Sequence, residues 1–123
     1  MANDAEHIAR RYVALWNETD AGKRRAAIED FFTAEAAHFV RAREAKGYAA
    51  LEERIIGSHE KSVRDGGFVF RVRPGAQRLR DVVTFHWEMV PRDNPNQIAA
   101  VGLQFITLTG EGKALLDYQF IVS

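Results

Sequence analysis

The chain has 123 residues, with 17 lysines and arginines against 17 aspartates and glutamates and no cysteine. That charge balance gives no field to hold nucleic acid or an acidic membrane surface, and the lack of cysteine excludes disulfide stapling and thiolate chemistry. At 46% hydrophobic and 28% charged, the composition suits one globular core that buries roughly two-thirds of the unfolded chain's surface.

The opening "MANDAEHIARRY" lacks the basic start and apolar run of a secretory leader. No later stretch approaches the roughly 18 apolar residues of a membrane span, so a cytoplasmic location is expected. From Asp4 to about Ser62 the apolar spacing is helical. In the first helix Ile8, Tyr12, Leu15 and Trp16 fall on one stripe, at i, i+4, i+7 and i+8, with Arg10, Arg11 and Glu18 away from it. Asn3 or Asp4 can cap its start. "NETDAGK" breaks the pattern, and Asp20 caps a second predicted helix whose buried stripe is Ala27, Ile28, Phe31 and Phe32. "AAHFVRA" predicts a short strand. Gly47 precedes a third helix with Leu51, Ile55, Ile56, His59 and Val63 near one face, ended by "DGG" at 65–67.

From Gly66 onward the spacing alternates with period two. Strands are predicted over 68–73, 79–90, 97–108 and 114–122, separated by Pro74-Gly75, "PRDNPN" and "TGEG". The last three, joined by short loops, form a strongly twisted antiparallel meander. Helices first and a sheet afterwards make the fold class α+β. In the stretch "TFHWEMV" (84–90), Phe85, Trp87 and Met89 share one face, and His86 and Glu88 take the other. Along 97–108, Val101, Leu103 and Phe105 point one way while Ala100, Gly102 and Ile106 point the other, so neither side of the sheet reads as solvated. Helices cover only one side; the other is expected to meet a second copy in a homodimer.

This order of elements resembles the nuclear transport factor 2-like superfamily, which contains the SnoaL-like polyketide cyclases and the ketosteroid isomerases. The resemblance rests on "ARRYVALWNETDAGKRRAAIEDFFTAEAAHF", with its aromatic stripe, Asn-x-x-Asp turn and Phe-Phe pair, on "GYAALEERI" after a glycine, and on "FHWEMV" and "LTGEGKALLDYQFI" as central and final strands. It spans essentially the whole chain and implies a single SnoaL-like domain over 1–123. The implied fold is a cone-shaped barrel, in which three N-terminal helices pack on a strongly curved antiparallel sheet that wraps the first helix around an apolar pocket. Phe85, Trp87 and Met89 would then line the pocket, although the same stripe would serve equally well as plain core.

In the ketosteroid isomerase-like members a helix-1 tyrosine and a protonated aspartate build an oxyanion hole, and an aspartate on the first strand removes a proton. Tyr12 matches the tyrosine. The base position falls on Val40 or Phe39 and the second acid on Gln104, which donates a hydrogen bond but never titrates, so isomerisation by that mechanism is disfavoured. Asp117 and Gln119 on the last strand are placed on the pocket side by the resemblance. His59, near the apolar face of the third helix, could pair with Asp117 as an oriented general base, or be a structural histidine at a helix edge. His38 is a candidate for the pocket mouth.

The four histidines, at 7, 38, 59 and 86, show no metal-ligand spacing, "GEG" at 110–112 reads as a hairpin turn, "GKRR" at 22–25 as a solvated charge run, and no G-x-S-x-G elbow occurs. No metal or cofactor is expected. Two functions follow. The first is a pocket for a hydrophobic, cyclic small molecule, shaped by Tyr12, Trp16, Phe85, Trp87 and Met89, with acid–base chemistry from Asp117, His59 and Tyr12 and polarity from His38, Gln104 and Gln119. The second is a non-catalytic dimeric binding or protein-interaction module of the same fold, favoured if side chains fill the interior.

Overall fold

The computed structural model describes residues 4–123; the cap candidate Asn3 lies outside the described residues. Helix α1 (Asp4–Asn17) already contains Asp4, which with Glu6 puts negative charge in the first turn, where the helix dipole favours it. All four predicted stripe residues, Ile8, Tyr12, Leu15 and Trp16, are buried. Helix α2 (Ala21–Phe31) starts at Asp20, whose carboxylate accepts from the backbone N–H of Lys23 at 2.8 Å. Phe32, assigned to that helix by periodicity, instead opens strand β1 (Phe32–Val40), so the Phe-Phe pair straddles the junction. Strand β2 (Arg43–Lys46) completes a hairpin with β1. The hydrophobic pattern gave no sign of β2, because three of its four residues are exposed.

Gly47, at φ 87°, turns the chain into helix α3 (Tyr48–Ser58), a backbone angle at which a side chain would be strained. A π-helical turn, His59–Arg64, extends α3. The remaining strands are β3 (Phe68–Val72), β4 (Gln77–Leu79), β5 (Val82–Pro91), β6 (Ala100–Leu108) and β7 (Ala114–Ile121). The single strand predicted over 79–90 is divided, since Leu79 pairs with Val82 across a tight turn in which Arg80 takes φ 54°.

The strands form one sheet in the order β2-β1-β7-β6-β5-β3, with β4 also pairing with β5. Its two edges do not pair with each other, so the sheet is curled but unclosed. It is also not wholly antiparallel, because β1 runs parallel to β7. The curl is visible from α1. Tyr12 reaches Asp117 on β7 and packs on Phe85 of β5, while the Asn17 side chain both donates to and accepts from the backbone of Phe70 on β3. One helix thus touches strands far apart in the sheet order.

The core lies between α1, α2, α3 and the concave face, where Phe31, Phe32, Leu51, Ile55, Phe85 and Ile106 close around the α1 stripe. Each large side chain so buried contributes roughly 1.5–3 kcal/mol of transfer free energy. On the convex face Glu88 is held between Arg71 and Arg73 at 2.8 and 2.9 Å. Farther along that face Phe39 stacks on Tyr118, and Phe105 and Phe120 are 38% and 54% exposed. No helix among the described residues is long and apolar enough to cross a membrane.

Candidate functional site

The inner face of β7 carries Asp117, fully buried, and the parallel pairing of β1 with β7 puts His38 beside it in register. The imidazole Nδ1 lies 2.8 Å from Asp117 Oδ2. Tyr12, from α1, donates to the same oxygen at 2.7 Å. Gln104, fully buried on β6, donates through Nε2 to Asp117 Oδ1 at 2.6 Å and to the Tyr12 hydroxyl at 2.9 Å. Its Oε1 accepts from the Trp87 indole at 2.8 Å.

With Asp117 as a carboxylate, chemistry fixes the direction of every bond in this cluster. An indole N–H can only donate, so Gln104 must present its oxygen to Trp87 and its amide hydrogens to Tyr12 and Asp117. The Tyr12 hydroxyl, already accepting from Gln104, turns its hydrogen to Asp117. A carboxylate only accepts, so the His38 contact is Nδ1–H to Asp117, and in the neutral ring Nε2 carries the lone pair. That nitrogen is buried without a protein partner. Three donors therefore converge on Asp117, while burial first, and then the negative charge of Asp117, hold the Tyr12 hydroxyl well above its ordinary pKa.

In front of this cluster is a cavity of about 620 Å³ between α1, α3, its π extension and the concave face. Tyr12, Trp16, Trp87, Met89 and Gln119 line it. His38, Gln104 and Asp117 sit behind the wall, and the network meets the cavity through Tyr12 and Trp87. Trp16 also packs on the His38 ring, with centroids 5.6 Å apart.

Three expected site residues are placed elsewhere: His38, expected at the pocket mouth, is buried behind the wall beside Asp117, and Phe85 and His59 also leave their expected places. Phe85 is core, not cavity wall, with its ring set edge-on to Tyr12 at 5.6 Å. His59 does not partner Asp117; the in-register His38 takes that role. His59 is buried at the start of the π turn, where desolvation, with Arg24, Arg64 and Arg92 nearby, pushes its pKa below 6.5. Of the two residues matched to the isomerase base, Val40 lines the cavity and Phe39 stacks on Tyr118 at the back of the sheet.

The sequence reading missed the cations. Arg41, Arg43, Arg54 and Lys61 all border the cavity. The signal for Arg54 was present: with Leu51, Ile55 and Ser58 it stands at i, i+3, i+4 and i+7, a charged residue set into the buried stripe of α3.

Solved structures share the fold. A SnoaL-like family protein from Agrobacterium tumefaciens, described as an isomerase, superposes with a TM-score of 0.88 at 20% identity, over 100% of both chains. A protein from Sinorhizobium meliloti described as a polyketide cyclase gives 0.70 at 11% identity, over 93% of this chain and 94% of its own. A protein of ketosteroid isomerase-like fold from Catenulispora acidiphila, in complex with trimethylamine, gives 0.66 at 15% identity, over 92% and 83%. No protein-family model and no curated protein matches the sequence.

Proposed function

Taking the fold shared with SnoaL-like and nuclear transport factor 2-like proteins as premise, we propose that this protein binds a small, largely apolar cyclic molecule in the cavity and moves a proton on it. The observation that carries this reading is the convergence of Tyr12, His38 and Gln104 on Asp117 directly behind a cavity of about 620 Å³. A volume of several hundred cubic ångströms suits a ligand site better than a filled interior does, which favours the small-molecule reading over a pure interaction module.

Tyr12 is the contact between network and ligand. Its raised pKa disfavours a free phenolate, so its oxygen serves as a relay. It takes a proton from an acidic C–H of the ligand as its own proton passes to Asp117 Oδ2, and the hydroxyl stays neutral throughout. Gln104 and His38 hold Asp117 in place, and return of the proton to a different ligand atom completes an isomerisation or cyclisation. The chain's own groups suffice for such a step. The convex face, with Phe105, Tyr118 and Phe120, is proposed as the contact between two copies in a homodimer.

The test is α-proton exchange on 1-tetralone, a bicyclic aromatic ketone, followed by NMR in D2O with the wild type and Asp117→Asn. Exchange above the buffer rate that returns to it in the variant, with binding and circular dichroism retained, supports proton transfer. Equal rates in the two proteins, with tetralone bound, leave the non-catalytic binding module as the function.

A further inference from the structure

The charged groups that line the cavity are of one sign. Arg41 and Arg43 flank the tip of the β1–β2 hairpin, Arg54 projects from α3 and Lys61 from the π turn, and no aspartate or glutamate lines the cavity. This is a local excess in a chain whose formal net charge is zero. Elsewhere Arg11 is neutralised by Asp30, Arg25 by Glu52, and Arg71 and Arg73 by Glu88, whereas Lys23, Lys46 and Arg80 are, among the described residues, unpaired single cations spread over the surface. Among the described residues none of the four at the mouth forms an ion pair.

Arg54 is the most informative of them. Its guanidinium lies 4.9 Å from the centre of the Trp16 ring, so a cavity-wall tryptophan supports its plane, and its Nε is buried with no hydrogen-bond partner. Burial, with Arg43 adding to it against the opposing pull of Tyr12 and Asp117, lowers the pKa of Arg54 from its ordinary value. A half-buried guanidinium that lacks an anion is a costly arrangement, and an anionic head group arriving at the mouth would offset it. Beyond the mouth the wall is apolar and aromatic, with Trp16, Phe70, Trp87 and Met89.

We propose that the ligand is an amphipathic organic acid, whose carboxylate docks on Arg54 with Arg43, Arg41 and Lys61 around it and whose ring enters between Trp16 and Trp87. One half-buried guanidinium matches one monovalent head, and its planar fork suits a carboxylate. The three exposed cations raise the local anion concentration and speed association. An amine ligand, such as the trimethylamine bound by the Catenulispora protein, would meet repulsion here. The inference rests on the cavity being the ligand site, and its test separates the two claims.

The chain's only two tryptophans, Trp16 and Trp87, both line the cavity, so intrinsic fluorescence reports its occupancy. The probes are phenylacetate, phenylacetamide and phenethylamine, which share a body and carry negative, neutral and positive heads. Benzylphosphonate is the fourth. Phenylacetate is expected to bind at least tenfold more tightly than the amide, with no saturable amine binding, and the gap should narrow as salt rises. Arg54→Gln and Arg43→Gln should each close most of the gap; Arg43 is exposed, so its variant tests the idea even if Arg54→Gln misfolds. Equal affinity for acid and amide would overturn the anion assignment while leaving the cavity as a ligand site. Tighter binding of benzylphosphonate than of phenylacetate would overturn the choice of a carboxylate, and no saturable quenching by any probe would overturn both claims.

Discussion

The indole of Trp87 packs against Gly102, its register partner on β6, and fills the space that a Cβ there would need. Because the ring can descend so far, Nε1 reaches Gln104, one pleat along β6 on the same face, and ties the cavity wall to the network behind it. Gly102→Ala must push the indole outward. Overpacking of this kind costs about 1–3 kcal/mol. Chemical denaturation should show the loss, together with a shift in tryptophan emission, and an unchanged midpoint and spectrum would refute the contact.

Gln104 is the hub through which Trp87, Tyr12 and Asp117 are joined. Gln104→Leu keeps the volume but leaves an indole N–H without an acceptor and Asp117 Oδ1 without a donor. Each buried group left unpaired costs about 1–3 kcal/mol. The variant should therefore lose at least that much in a urea titration, and ligand quenching should weaken as Tyr12 and Trp87 lose their anchor. A loss of less than half a kcal/mol would mean that the network adds little to the fold.

His59 predicts a pH dependence whose sign is fixed. Its folded pKa lies below 6.5, so between the folded and unfolded values the unfolded chain binds more protons. Stability is then complete above about pH 6.5 and falls as the pH drops toward the folded value. The His59→Leu variant removes the titration and should flatten the stability profile between pH 6.5 and 5. Parallel profiles for the two proteins would assign the slope to other groups.

The convex aromatic patch predicts the oligomeric state. Size-exclusion chromatography with light scattering should give twice the 13.9 kDa chain mass at micromolar concentration. Phe105→Glu, at a position already 38% exposed in the single chain, should return the monomer mass without unfolding it. Monomer mass for the wild type would remove the dimer from the reading.

How legible the molecule was depended on the range of each interaction. The α1 stripe, the Asp20 cap and the alternation along β5 repeat over a few residues, so sequence spacing reports them directly. Strand β2 was missed because an exposed edge strand has no buried face to print a pattern, and the division of β4 from β5 was missed because Arg80, not a glycine, takes the left-handed turn.

The site shows the same contrast more sharply. The sequence by itself determined which residues have the chemistry and which of them share a strand or helix face, because alternation and helical period are local geometry, while the inward side of Asp117 came from the family resemblance. It could not tell which histidine Asp117 would meet. Tertiary structure decided that in favour of His38, 79 residues away, because the parallel β1–β7 pairing sets the two side by side. Tertiary structure also gathered Arg41, Arg43, Arg54 and Lys61 at one mouth from a hairpin, a helix and a π turn. Register and packing between distant segments are set by the whole core at once, and no window of sequence contains them.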